Sequence, residues 1–481
     1  MHLRPALPLL LVLIGACTAA PAPHPPAAVA SGRYLPGEDP PATAGTPEDG
    51  VPVQRFRAGA TLPDRWWEAF GCDALNALIA AALAHNPTVA EARARLKEAE
   101  ADLTAERRGT RYPSADATLG VSRQKFDPAA FGIPNVPPGP PFTLYNAQVS
   151  VAYTLDLFGA GRHAIEGSAA ERDYRRAEAD AALLALAANV ATAAIRRADL
   201  DAEIEYTQSM LVQEARRAEI SATRYRAGGI AQGDLEDANA ALERLRASLP
   251  PLVAEAARLA HQIAVYTGTA PAAAAVPRIR LEELRLPTDV PLSLPAELVR
   301  RRPDVRAAEA LWQRSGALLG VATANLLPGI TLSGSAGTER TNATELLDSF
   351  NVWSLGAKLL QPIFHAGELR ARRRAAVADY EASAAAYEAT VLGALQQVAD
   401  GLRALEADAA VLEARAAAAR ESSASLAIAR ARFEAGGISE WQLREAERQD
   451  LESRLERSRA EAARLGDTVA VFHAVAGPPG G

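Results

Sequence analysis

The sequence predicts an α+β membrane protein built from two copies of one long unit, each with two amphipathic strands and an antiparallel coiled-coil helical hairpin. Three observations support this: two segments that nearly repeat each other, heptads of apolar residues around them, and four shorter segments of alternating polarity. The repeated segments read RYRAGGIAQGDL at 224–235 and RFEAGGISEWQL at 432–443. Their aromatic residues, Tyr225 and Phe433, lie 208 positions apart, far beyond the ~20–50 residues of a solenoid repeat. The spacing therefore indicates a duplication within one chain.

The composition favours long helices that pack closely through small side chains. Of the 481 residues, 49 % are apolar, with many alanines, and only 5 % are aromatic. The formal net charge of −7 gives no indication of nucleic-acid binding, which favours a basic face. The seven histidines are scattered, and the sequence contains no HExxH, CxxC or GxSxG motif, so neither a metal site nor a catalytic site is predicted.

The first residues predict a signal peptide followed by a lipid anchor. Residues 1–16 combine an early arginine with an apolar run that is too short to cross a bilayer. The junction IGAC resembles a bacterial lipobox, which implies cleavage before Cys17 and attachment of lipid to its thiol and amino group. Thr18, rather than Asp, follows; in the sorting rule for Gram-negative lipoproteins this implies the outer membrane. An ordinary secretory signal with an unrelated cysteine is the alternative. Lipidation of Cys17 would leave Cys72 as a free thiol.

The first copy is predicted at 62–275. It follows a Pro-, Ala- and Gly-rich segment at 17–61, which has no period and is expected to be an extended, lipidated tether with little packing of its own. Hydrophobic periodicity separates helices from strands within the copy. In chain order, we expect a helix at 73–108, strands at 115–122 and 146–156, and hairpin helices at 163–226 and 231–266.

A Pro-punctuated linker at 276–293 precedes the second copy, which is predicted at 294–474 with a short tail at 475–481. The order of elements is the same as in the first copy. We expect a helix at 294–325 that is interrupted near Pro303, strands at 330–337 and 352–361, and a hairpin whose outgoing helix covers 368–434.

Each hairpin tip contains a glycine pair, Gly228–Gly229 in the first copy and Gly436–Gly437 in the second. Glycine takes positive φ at little cost and so ends a helix and turns the chain back, and we expect the second glycine of each pair to do this. Apolar residues on the hairpin legs recur in steps of four and three, the seam of a coiled coil. A soluble helical core is the alternative source of these stripes. The seams cover 245–266, 391–412 and 451–472.

The four strands each have one apolar and one polar face. A four-stranded sheet in lipid would leave unpaired edges, and each unsatisfied backbone group costs several kcal/mol. Bacterial barrels begin at about eight strands, so one chain cannot close a barrel. Three chains would supply twelve strands around a polar lumen and would arrange the hairpins as an α-helical barrel. The alternative is a water-soluble α+β protein whose strands pack against a helical layer.

Four motifs occur together with the two tips: WWEAF at 66–70, LNALIAAALAHNP at 75–87, LPAELVRRRPDVRAAEA at 294–310 and LPGITLSGSAG at 327–337. Jointly they resemble the TolC-like outer-membrane factors, in the lipoprotein branch of RND-type tripartite efflux systems. This resemblance covers nearly all of the mature chain. It implies a homotrimer with an outer-membrane β-barrel and a periplasmic α-barrel, with no enzymatic chemistry and no cofactor beyond the lipid on Cys17.

The resemblance also implies partners and a gate. A periplasmic adaptor would dock at the tips, and an inner-membrane RND-type transporter would supply the energy. The gate would lie beside the second tip, where Trp441 and Glu445 are four residues apart and therefore share a helix face. Three copies would form an apolar ring over an acidic ring, which attracts cations. Solvated acids at the helix tips are the alternative. The implied gate residues are Arg432, Phe433, Trp441, Glu445, Asp234 and Asp237, and the implied docking residues are Gly228, Gly229, Gly436 and Gly437.

The sequence therefore favours a passive duct that exports small molecules, such as drugs or other toxic compounds, across the periplasm and the outer membrane. Secretion of protein by a type I system is an alternative that the lipidated branch makes less favourable. The adaptor of such a pump would have one hairpin within a β-rich module, and a structural envelope lipoprotein would not need strands with a polar face. An enzyme is disfavoured by the lack of catalytic motifs.

Overall fold

The computed structural model describes residues 32–36, 39–128, 132, 135, 137–273, 275–346 and 350–477. The predicted signal peptide, Cys17 and the last residues of the predicted tail lie outside this part of the chain. The protein forms two compact units. The sheet unit includes Leu96–Tyr174 and Ala308–Tyr387, and the helical unit includes Ala27–Arg95, Arg175–Ala307 and Glu388–Gly481.

Two helices of equal length dominate the chain, and each is followed by a helix about half as long. The long helices α3 and α7 have 67 residues each, about 100 Å at ~1.5 Å per residue, and the helices that follow them have 35 and 36 residues. In the described residues the helices are α1 (Asp73–His85), α2 (Pro87–Arg111), α3 (Ala160–Arg226), α4 (Gln232–Tyr266), α5 (Pro295–Arg301), α6 (Pro303–Ala324), α7 (Glu368–Glu434) and α8 (Glu440–Val475).

The single helix predicted at 73–108 is wrong, because the structure has two helices there. Asn86 lies between them in an extended conformation (φ −68°, ψ 126°), and its side-chain oxygen accepts a hydrogen bond from the Thr88 N–H at 2.8 Å. Asn86 thus caps α2, and Pro87 occupies the first helical position, where a missing N–H costs nothing.

The sheet unit contains a four-stranded antiparallel sheet in the order β2-β3-β5-β6. β2, β3 and β5 are longer than predicted, mainly at the ends that enter the connecting loops, and β2 and β6 are the edge strands. A separate parallel pair, β1 with β4, belongs to the helical unit. The strands are β1 (Arg55–Ala58), β2 (Ser114–Gln124), β3 (Phe142–Leu155), β4 (Asp289–Leu292), β5 (Gly329–Arg340) and β6 (Val352–Leu360).

The register of the four-stranded sheet keeps its two faces chemically distinct. Val149 is opposite Ala117 and Ala336, and Ala336 is opposite Trp353, so one face is apolar across all four strands. Hydroxyl groups pair across the other face, where the side chains of Thr154 and Thr331 lie 3.3 Å apart and those of Ser335 and Ser354 lie 2.8 Å apart. Large apolar side chains on the first face are solvent-exposed, with Leu355 at 83 %.

The predicted seams line the apolar core of the helical unit, and their heptad positions are all buried or half-buried. Most of the core is one large cluster, and Leu412 belongs to a second, smaller cluster with Val51, Ala416 and Ala460. The larger cluster contains an aromatic group in which Trp66, Phe70 and Phe472 meet edge to face, with ring centroids 5.9–6.4 Å apart. Because such pairs add about 0.5–1.5 kcal/mol each beyond burial, the WWEAF motif anchors the start of the first copy to the end of α8. Cys72 is buried beside this core and forms no disulfide among the described residues.

The predicted tether is wrong for its second half, which packs tightly on the helical unit. Gln54 is completely buried, and its amide donates to the Pro287 carbonyl and to Thr468 Oγ1, both at 3.0 Å. The buried guanidinium of Arg464, on α8, donates to Gln54 Oε1 at 3.1 Å and to Thr43 Oγ1 at 2.9 Å. These long-range bonds hold a segment whose composition resembles a linker.

Candidate functional site

Both hairpin tips end their long helices with the same backbone hydrogen bonds. At the first tip the Gly228 N–H donates to the Tyr225 carbonyl at 2.9 Å, and the Gly229 N–H donates to the Arg224 carbonyl at 2.8 Å. The second tip repeats this with Gly436 and Gly437. The pattern is a Schellman motif, which satisfies the last carbonyls of a helix.

The expectation that the second glycine takes the positive φ is wrong. The first glycine of each pair does so, with φ 71° at Gly228 and φ 72° at Gly436. In a Schellman motif the left-handed residue comes directly after the helix C-cap. The C-cap residues here are Ala227 and Ala435, so the left-handed residues are Gly228 and Gly436. The second glycines, Gly229 and Gly437, instead donate the hydrogen bonds that span five residues, to the carbonyls of Arg224 and Arg432.

The return helices begin with different caps at the two tips. Ser439 Oγ accepts from the Gln442 N–H at 3.3 Å while the Gln442 side chain accepts from the Ser439 N–H at 2.9 Å, a complete capping box. At the first tip the carboxylate of Asp234 accepts from the Ala231 N–H at 3.1 Å. Asp234, predicted as a gate acid, therefore caps α4, and Asp237 lies exposed on the same helix.

Arg432 and Phe433 lie on α7 immediately before the second tip. The Arg432 carbonyl accepts the closing bond from Gly437, whereas its side chain is exposed and makes no ion pair among the described residues. Phe433 is 37 % exposed. No hydrogen bond or ion pair in the described chain joins Arg432, Asp234 or Asp237 to the other predicted gate residues.

Trp441 and Glu445 are brought together by a residue that was not predicted, Arg217 on α3. The Arg217 guanidinium lies 4.7 Å from the centroid of the Trp441 ring, and it pairs with the Glu445 carboxylate at 3.2 Å. Glu445 also pairs with Arg448 at 2.9 Å. The predicted apolar and acidic positions thus bind one arginine from the outgoing helix of the other hairpin.

The Arg217 contact lies within a network of charges that joins α3 to the first turns of α8. Arg217 also pairs at 2.7 Å with Glu214, whose side chain is only 5 % exposed. One residue earlier, Arg216 reaches across to Glu440 at 2.8 Å, in a more exposed position. Further along α8, Arg444 pairs with Glu440 and Glu447. We call Glu214, Arg217, Trp441, Glu445 and Arg448 the tip latch.

The electrostatics of the tip latch keep its acid ionised. Burial by itself would raise the pKa of Glu445, but the hydrogen bond from Arg448 and the charges of Arg217 and Arg448 outweigh it, so the pKa lies below its ordinary value. At neutral pH the Glu445 charge is therefore balanced by arginines of the same chain.

One signal in the sequence could have identified Arg217. It lies eleven positions before Gly228, and Glu445 lies nine positions after Gly436, so the two are at similar depths behind their respective tips. Adjacent hairpins of equal length bring such positions level with each other. The ion pair between Arg217 and Glu445 requires α3 and α8 to be neighbours, and hydrophobic periodicity alone does not indicate which helices are neighbours.

Comparison with known proteins gives consistent matches over most of the chain. A model of the outer membrane efflux protein family matches residues 78–269 and 294–477. The outer membrane protein OprJ of Pseudomonas aeruginosa is 30 % identical over 435 residues, which cover 89 % of this chain and 86 % of OprJ. The pyoverdine export outer membrane protein OpmQ of the same species is 30 % identical, over 82 % of this chain and 80 % of OpmQ. The solved outer-membrane channel OprN superposes with a TM-score of 0.78 at 28 % identity, over 92 % of this chain and 98 % of OprN.

Proposed function

The chain belongs to the outer membrane efflux protein family, and from this premise we propose that it is the passive outer-membrane channel of a tripartite efflux pump. The observation that carries the proposal is the sheet. Its apolar face is exposed across all four strands, and the outer edges of β2 and β6 are unpaired within the described chain. The apolar face is stable in contact with lipid, and strands from other chains would pair the free N–H and C=O groups at the two edges.

The open edges support a homotrimer. β2 of one copy would pair with β6 of the next, and three copies of a four-stranded sheet would form a twelve-stranded barrel. The hydroxyl-rich face of the sheet would line the lumen. The hairpins of the three copies would form a second, α-helical duct in the periplasm, with lipid on Cys17 as an additional anchor to the outer membrane.

The tip latch is the proposed point of control. In the closed duct, Arg217 on α3 would hold α8 at Trp441 and Glu445. A periplasmic adaptor docked at the glycine tips would separate these helices, and an RND-type inner-membrane transporter would supply energy and select the cargo. OpmQ is named for pyoverdine export, and we propose that this chain likewise exports a small compound.

The experiment is reconstitution of the full-length protein, purified in detergent, into planar bilayers. We expect cross-linkable trimers that form channels. Leu355→Arg places a charge on the apolar face of β6 and costs about 2–4 kcal/mol at mid-bilayer, so it should abolish insertion. Its matched control is Ser354→Arg, on the opposite face of the same strand, which should still insert and conduct. Monomers that never conduct, or equal insertion of both variants, would contradict the proposal and favour a structural lipoprotein.

A further inference from the structure

An exposed apolar pair lies just after the end of β6, outside the four-stranded sheet. Ile363 is 93 % exposed and Phe364 is 84 % exposed, the two highest values among the large apolar side chains of the described residues. They precede α7, which begins at Glu368. Exposing two adjacent apolar side chains of this size to water is unfavourable in free energy, so their exposure indicates a partner outside the chain.

Four arginines follow in the first two turns of α7. Arg373 donates to Thr323 Oγ1 at 3.3 Å, and Arg372 pairs with Glu368 at 2.6 Å. Arg370 and Arg374 are exposed and make no ion pair among the described residues. The N-terminal end of a helix carries partial positive charge, so four cations there oppose the helix dipole, with one acid to offset them. This arrangement favours an external anion.

The first copy shows that the turn itself does not need these arginines. Gly159 and Gly367 both take positive φ directly before their helices (81° and 85°), so the RARRR segment at 370–374 corresponds to RHAIE at 162–166, which has a single arginine. Both helices form after the same kind of turn, and only the second has the basic cluster. The arginines are therefore a specific feature of the second copy rather than a requirement of the fold.

Arg370 and Arg374 are four residues apart and share a face of α7, whereas Arg372 lies on the other side with Glu368. We propose that Ile363, Phe364, Arg370 and Arg374 form a lipid-contact surface for anionic phospholipids of the periplasmic leaflet. This inference rests on the proposed function, in which β6 crosses the outer membrane and ends at its periplasmic side. The apolar pair enters the boundary between acyl chains and headgroups. The arginines lie within about 10 Å along α7, at the depth of the headgroup layer, and guanidinium groups bind phosphate with two parallel hydrogen bonds.

The test measures thermal stabilisation of the full-length trimer in detergent as phosphatidylglycerol is titrated in mixed micelles, with phosphatidylcholine as the neutral lipid. The test variant is Arg370→Gln/Arg374→Gln. Each arginine near an anionic lipid surface is worth about fivefold in affinity, so the half-maximal phosphatidylglycerol concentration should rise roughly 30-fold. A second variant, Ile363→Ser/Phe364→Ser, should weaken the effect of both lipids.

The matched control removes two exposed arginines elsewhere, Arg93→Gln/Arg244→Gln, with the same change in net charge. It should titrate like the wild type. Equal loss in the control, or an unchanged titration of the test variant, would overturn the inference. So would equal stabilisation by inorganic phosphate alone, since that indicates a phosphate site rather than a lipid surface. The wild-type and test proteins are also assayed for conductance. A wild-type protein that forms no channels contradicts the proposed function. If both proteins conduct and the test variant titrates with phosphatidylglycerol like the wild type, only this inference is contradicted.

Discussion

Removal of Arg217 should open the channel. The Arg217 side chain is 15 % exposed and is the ion-pair partner of the buried Glu214, at 2.7 Å. In Arg217→Ala the closed state would retain a buried, unpaired carboxylate, which costs about 3–5 kcal/mol, and would lose a cation–π contact with Trp441 worth about 0.5–2 kcal/mol. Separation of α3 from α8 relieves the cost by hydrating Glu214. The ratio of open to closed channels should therefore rise at least ~100-fold, measured as open probability of single channels in planar bilayers.

The adjacent arginine provides the control. Arg216 also pairs across to α8, with Glu440 at 2.8 Å, but both side chains are more exposed, and such pairs contribute about 0–1 kcal/mol. Arg216→Ala should therefore change open probability by about fivefold or less. Adding Glu214→Gln to Arg217→Ala removes the stranded charge and should restore much of the closure. Equal opening in the two single variants, or no recovery in the double variant, would refute a latch based on burial.

Three further predictions concern stability in detergent, each measured by thermal unfolding. Gly436→Ala forces a left-handed alanine at φ 72° and should cost about 1–2 kcal/mol, whereas Gly466→Ala, in open space within α8, should stabilise slightly. Gly401→Ala places a Cβ 2.7 Å from a valine methyl on α8 and should cost about 1–3 kcal/mol, in contrast to Gly393→Ala, which meets no atom. Burial, with a hydrogen bond and charge from Asp467, raises the pKa of Asp408 to about 7. The folded chain then holds a proton that the unfolded chain releases above about pH 4, so stability should fall as pH rises from about 4 to 7, and Asp408→Asn should remove this slope.

The parts of the fold that follow a local period were predictable. Alternation in the strands determines which residues share a face, and the register of β3 with β2 and β5 keeps those faces aligned. The glycine pairs locate both tips because a helix needs a left-handed residue to end in a Schellman motif. Which glycine takes that conformation depends on where the helix stops, and a one-residue error there moved the prediction to the wrong member of each pair.

The N-terminal segment was mispredicted for a different reason. Its prolines and glycines resemble a flexible linker, and composition was the only basis for that interpretation. The order of the segment comes from partners more than 200 residues away, since Gln54 bonds to Pro287, Thr468 and Arg464. A buried amide whose donors and acceptor are all satisfied stabilises the fold, and an unsatisfied one would cost about 1–3 kcal/mol. Such long-range pairing leaves no periodic signal in the sequence.

The same limit applies to the gate and changes its interpretation. From the sequence, Glu445 is an acid on an accessible helix face, and three copies would form a negative ring. In the structure its charge is balanced by Arg217 and Arg448, so this tip does not present it as a free anion. In the proposed opening, α8 moves away from α3, and Glu445 loses Arg217 while gaining access to the lumen. One residue would then fasten the closed duct and supply negative charge to the open one, which links cation preference to opening rather than to the resting state.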